Sequence, residues 1–177
     1  MTTLPARRQG HGIKLSFYDF GATPFFACQY DQRFSYCLYV PADYDETAAK
    51  AYDLAVIVHG TGRTATQYRD LFADFAQRHD CIVLAPLFPV GIIEPGDLAN
   101  YKRIQFHDIR YDHVLLAMVD EVIAKYRVNG CRFLLYGYSG GGQFCQRFFM
   151  LHPERLQAVS IGAVSYTHLR AHETRGN

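Results

Sequence analysis

Apolar and polar positions along this chain follow two alternating rhythms. Between residues 54 and 161, short continuous apolar runs alternate with stretches that repeat apolar residues at helical spacing. The runs at 54–58, 81–85, 131–136 and 156–161 predict buried strands, since a parallel strand covered on both faces has no polar side to show. Three stretches between them predict helices. They put Tyr68, Leu71, Phe72, Phe75 and Ala76 on one face, then Leu115, Met118, Val119, Val122 and Tyr126, then Phe144, Phe148 and Leu151, with Cys145 and Phe149 alongside. Upstream, 13–20 and 34–40 read as two strands. In the second, Phe34, Tyr36, Leu38 and Val40 alternate with Ser35, Cys37 and Tyr39. Asp108 is placed to cap the second helix, Asn129-Gly130 to end it and Pro153 to stop the third.

Strand–helix alternation implies right-handed crossovers, hence an α/β fold with a mostly parallel sheet flanked by helices. The reading divides the chain into a leader at 1–12, one domain at 13–163 and a tail at 164–177. Residues 86–107 form a long connection, apolar in its first half, which marks it as functional.

Composition narrows the partners. With 177 residues, net charge +1 and no basic block, the chain offers no electrostatic support for binding nucleic acid or an anionic membrane. No apolar stretch reaches membrane-spanning length. Cys28, Cys37, Cys81, Cys131 and Cys145 are odd in number and lack a C-x-x-C pair. They read as buried thiols of a reducing compartment, so the expected location is cytoplasmic. Nothing in the sequence speaks to oligomeric state.

The chemistry concentrates at two glycine-rich turns, each following a predicted strand. Gly137-Tyr138-Ser139-Gly140-Gly141 fits the G-x-S-x-G nucleophile elbow, a strained strand–turn–helix that presents a serine at the carboxyl end of a parallel sheet. A hydroxyl attacking a carbonyl leaves negative charge on oxygen, so it needs a base and oriented N–H donors. The Gly140 N–H, opening the helix, is one expected donor. The second is expected from His59-Gly60-Thr61-Gly62-Arg63, with Thr61 first and Gly62 next. His59 is expected to shape that loop rather than act as base.

The two motifs together resemble those of the α/β-hydrolase superfamily, and within it the esterases of the polyhydroxybutyrate-depolymerase and feruloyl-esterase type. The likeness runs from about residue 34 to 162. It implies an α/β-hydrolase-type sheet and a serine hydrolase working through an acyl-enzyme on Ser139. The substrate would be a small or oligomeric carboxylic ester, with no organic cofactor and no metal. Leu87, Phe88, Val90, Ile92 and Ile93 are candidates for an acyl pocket, and Arg63 for a surface residue or a partner of a substrate carboxylate.

In that superfamily the acid and then the histidine follow the serine on later strand-end loops. Here 165–175 carries no strand pattern and resembles a translated adapter-like sequence, so native sequence is expected to stop near Ala163. The fold would then lack its last strands and helices, and the chain would lack its acid and base. His168 and His172 follow the serine with no strand-end acid between, and Glu154 sits too close to the elbow helix. A non-catalytic binding or interaction module is the alternative. Gly60-Thr61-Gly62-Arg63-Thr64-Ala65 also satisfies a dinucleotide fingerprint, but its acidic residue, Asp80, precedes the next strand instead of ending it. His107, Asp108, Asp112 and His113 read as a cap and solvated first turn rather than a metal cluster.

Overall fold

A computed structural model describes residues 15–164. The expected leader and, apart from Val164, the expected tail, with His168 and His172, lie outside the described residues. The strands are β1 (Gly21–Ala22), β2 (Phe26–Ala27), β3 (Ser35–Val40), β4 (Asp53–Val58), β5 (Cys81–Leu87), β6 (Gln105–Phe106), β7 (Ile109–Arg110), β8 (Phe133–Tyr138) and β9 (Leu156–Gly162). Helices α1 (Ala65–Leu71), α2 (Ala73–Arg78), α3 (Tyr111–Lys125) and α4 (Gly140–Leu151) connect them.

The main sheet runs β1-β3-β5-β4-β8-β9, with β2 also paired to β3. β5, β4, β8 and β9 are parallel, and β3 lies antiparallel on β5. The alternation within β4 explains why its sequence is wholly apolar. Leu54, Val56 and Val58 join the large cluster under α3 and α4, whereas Ala55 and Ile57 meet Phe72 and Phe75 on the other face. Both faces of the strand are therefore dry.

Four expectations need correction. The segment 15–20 is no strand: Phe17–Asp19 forms a 3-10 turn. Asp19 accepts from the Ser16 backbone N–H at 2.7 Å and the Ser16 hydroxyl at 2.8 Å, and Tyr126 donates to the Asp19 carbonyl at 2.8 Å. This local capping pattern wins over the apolar alternation of Leu15 and Phe17. Leu71 stands on the outer side of α1, because the helix breaks at Phe72 and the phase of the apolar face shifts there. Asp108 caps nothing: His107 and Asp108 form the turn of the β6–β7 hairpin, and Arg110 is the N-cap of α3. Finally, Phe144, Cys145 and Phe148 are buried as expected, but Phe149 and Leu151 are exposed beside Met150.

β4, β5, β8, β9 and α3 fall where the periodicity puts them, whereas it does not predict β1, β2, β6, β7 or the turn Tyr101–Arg103. α3 buries Leu115, Met118, Val119 and Val122, and Tyr126 follows it into the core. Cys28, Cys37, Cys81 and Cys145 are buried free thiols, and Cys131 is exposed. Among the described residues no helix is long and apolar enough to cross a membrane.

Candidate active site

β8 delivers Ser139 to the carboxyl end of the sheet, where its side chain is exposed. Ser139 has φ 56° and ψ −118°, a left-handed conformation costing a non-glycine residue about 1–3 kcal/mol. Packing holds it there. Its N–H donates to the Gly162 carbonyl of β9 at 3.0 Å, and Gln143 N–H returns to the Ser139 carbonyl at 3.1 Å. α4 can start so close to β4 only because residue 141 lacks a side chain. A Cβ there would stand 2.7 Å from the His59 carbonyl oxygen and closer still to that of Val58. Gly137 is confined in the same way by Gly141 and Cys145.

The first glycine-rich turn meets the elbow. A Cβ on Gly60 would lie 3.9 Å from that of Ser139, and one on Gly140 would lie 2.8 Å from the Thr61 hydroxyl. Gly62, by contrast, is exposed, and its missing Cβ would touch only Thr64. The geometry thus brings Thr61 beside Gly140 and leaves Gly62 outside. Gly140 is the first residue of α4, so its N–H has no partner within the helix and points with the positive end of the helix dipole. Tyr138, half exposed, covers Gly162.

His59 is fully buried and both ring nitrogens are engaged. Phe88 N–H donates to Nε2 at 3.1 Å, which leaves the hydrogen on Nδ1 to bond the Gly60 carbonyl at 2.8 Å. Burial pushes its pKa down to about 4, against 6.5 for an exposed ring. Such a neutral, doubly bonded imidazole shapes the turn and is unavailable as a base.

Several supporting residues escaped the sequence reading. Arg63 is neither a surface residue nor free to meet a substrate carboxylate. Its guanidinium donates to the carbonyls of Thr61 (2.7 Å), Phe88 (3.1 Å) and Leu98 (3.0 Å) and to Asn100 Oδ1 (3.0 Å). It pins the turn to the long loop. Tyr101, in the 3-10 turn Tyr101–Arg103, is buried and donates to the His59 carbonyl at 3.1 Å. No motif names these residues, because their roles depend on the path of a loop. That loop also revises the acyl-pocket expectation. Phe88 is core, edge-on to Phe34 and Tyr111 and stacked on Tyr101, while Ile92 packs against the same core. Leu87 packs with Cys37 and Ala65; Val90 and Ile93 are exposed.

Asp112 is buried and held by Arg110 (2.6 Å) and His152 (2.8 Å), so it is no solvated first-turn residue. Burial alone would raise its carboxyl; the Arg110 guanidinium and the His152 ring outweigh that and bring it down to about 2. His107 pairs with Glu94 at 2.6 Å. Among the described residues no group of three or more His, Cys, Asp or Glu side chains is set to hold a metal ion. Asp80 pairs with Lys50 at the start of β5, away from the turn that would carry a dinucleotide.

A mostly parallel sheet between helices, a serine on a strained strand–helix turn and a glycine-rich turn against it define the α/β-hydrolase fold, and this chain has that fold. No protein-family model and no curated protein matches the chain. Among solved structures, it resembles a poly(3-hydroxybutyrate) depolymerase from Bordetella parapertussis, with 25% identity and a TM-score of 0.59 over 71% of this chain and 44% of that one. It also resembles poly(aspartic acid) hydrolase-1 from Sphingomonas sp. KT-1, with 25% identity and a TM-score of 0.65 over 78% and 55%. A fluorophosphonate-binding serine hydrolase from Staphylococcus aureus shares the fold at 14% identity, with a TM-score of 0.65 over 81% and 58%. The chain spans about half the length of these structures.

Proposed function

We propose that this chain carries the nucleophile and oxyanion-hole part of a serine hydrolase acting on carboxylic esters through an acyl-enzyme. The observation that carries this reading is the positive-φ Ser139, exposed at the end of β8 with Gly60 and Thr61 against it. Ser139 Oγ would attack the ester carbonyl, and the alcohol would leave as the tetrahedral intermediate collapses to the acyl-serine. The oxyanion would be held by the backbone N–H groups of Thr61 and Gly140. Losing one such donor typically costs about 2.7–4 kcal/mol of barrier. Esterases and a polyester depolymerase among the structural neighbours favour an ester substrate.

Among the described residues no histidine or carboxylate is hydrogen-bonded to Ser139. In this reading the acid and base follow β9 in sequence, as the superfamily order requires. Binding and an oxyanion hole alone can still leave a residual acceleration of about 10³–10⁴-fold over water. Incubating the chain with a fluorophosphonate and mapping the adduct by mass spectrometry tests this. Ser139 should be modified faster than the same serine in a free Gly-Tyr-Ser-Gly-Gly peptide, and Ser139→Ala should abolish the adduct. Modification no faster than the peptide would overturn the reading.

A further inference from the structure

Most cations away from Ser139 are neutralised, although Arg78 and Arg127 donate only to the carbonyls of Asp74 and Glu46. Arg33, Lys50, Arg69, Arg110, Lys125 and Arg155 each have a carboxylate within 4 Å. Beside the elbow, Arg63 donates only to neutral oxygens, and further along α4 Arg147 donates only to the carbonyls of Lys102 (2.7 Å) and Gln143 (3.2 Å). Among the described residues Lys102 makes no ion pair. The nearby acid, Asp97, is taken by Arg103 at 3.3 Å. The positive potential here is local, because the whole chain carries a net charge of only +1.

Lys102 is also placed to use that charge. It follows Tyr101, whose hydroxyl anchors the turn to His59, and the Arg147 bond fixes its backbone from the α4 side. Its Cε would lie 2.8 Å from a Cβ on Gly140, so its aliphatic end rests over the residue next to the nucleophile. Burial, and then the charge of Arg63, hold the ammonium below its usual pKa, outweighing the opposing pull of Asp97.

We infer that Lys102 selects substrates bearing a carboxylate close to the scissile ester bond. An incoming carboxylate would give this lysine a direct ion pair, at the positive end of α4 where an anion is favoured. The inference rests on the serine-hydrolase reading.

Two fluorophosphonates that differ only in a terminal carboxylate or its methyl ester provide the test, with rates of Ser139 modification measured on the full chain. At low salt the anionic probe should react about fivefold faster, the size of a partly exposed charge pair. The ratio should shrink toward unity as salt rises and screens the pair. Lys102→Gln should bring the ratio to about one, and Lys102→Arg should retain it. Equal rates in the unaltered chain at low salt, or a preference that survives Lys102→Gln, would overturn the inference alone. Failure of both probes to modify Ser139 would instead overturn the serine-hydrolase reading, and the inference with it.

Discussion

At the residue scale, the site is built by side chains that do no chemistry. His59 sits under the glycine turn with both nitrogens committed and gives the account a pH signature. Its folded pKa, about 4, lies below the 6.5 of an exposed ring. As pH falls below 6.5, the unfolded chain takes up a proton that the folded chain refuses. Stability therefore drops with pH until about pH 4, at up to roughly 1.4 kcal/mol per unit. Urea unfolding at pH 7.5, 5.5 and 4.5 should show this slope, and His59→Gln should show less of it. Equal slopes in the two proteins would mean that His59 titrates as if exposed. The glycine at 141 is a second residue-scale test. Gly141→Ala pushes a methyl into the carbonyls of Val58 and His59, so either α4 or β4 must move. The variant should lose at least 2 kcal/mol of stability, in the range of overpacked core sites, and should lose fluorophosphonate labelling. Unchanged labelling would show that the elbow tolerates the displacement.

At the element scale, what the sequence reveals depends on how local the cause is. β4, β5, β8, β9 and α3 can be read because burial on one or two faces imposes its own period on the residues. The elbow can be read because a positive φ at Ser139 and contact at Gly137 and Gly141 demand a fixed residue pattern. The 3-10 turn at Phe17–Asp19 is set by the local Ser16–Asp19 capping pattern, which the apolar alternation masks. Its anchoring by Tyr126, more than a hundred residues away, leaves no trace in the sequence. The same holds for Arg63 and Tyr101. A lone arginine or tyrosine in the sequence gives no sign that a loop will bring carbonyls to one and a histidine carbonyl to the other. Phe88 links the two levels, because its N–H bonds His59 while its ring fills the core among Phe34, Tyr101, Tyr111 and Phe144. Phe88→Ala should cost about 3–5 kcal/mol as a cavity-forming change. Thermal unfolding would check it, and a loss under about 1 kcal/mol would contradict this packing.

At the scale of the whole molecule, the sheet and its apolar surface are unevenly covered. Among the described residues β9 pairs only with β8, and Gln157, Ala158, Ser160 and Ile161 along it are exposed. On α4, Phe149, Met150 and Leu151 are exposed nearby, with Met150 the most open at 75%. An unpaired edge beside an apolar patch favours self-association. The chain should grow in apparent mass with concentration by light scattering. The double substitution Met150→Lys and Leu151→Lys should reduce that growth, whereas a monodisperse unaltered chain at high concentration would contradict it.

The central claim is that the two glycine-rich turns form one site around Ser139. A crystal structure of the fluorophosphonate adduct tests it most directly. The expected adduct has phosphorus on Ser139 Oγ and a phosphoryl oxygen about 2.7–3.1 Å from both the Thr61 and Gly140 backbone nitrogens. A phosphoryl oxygen turned to solvent, with neither nitrogen in reach, would contradict it.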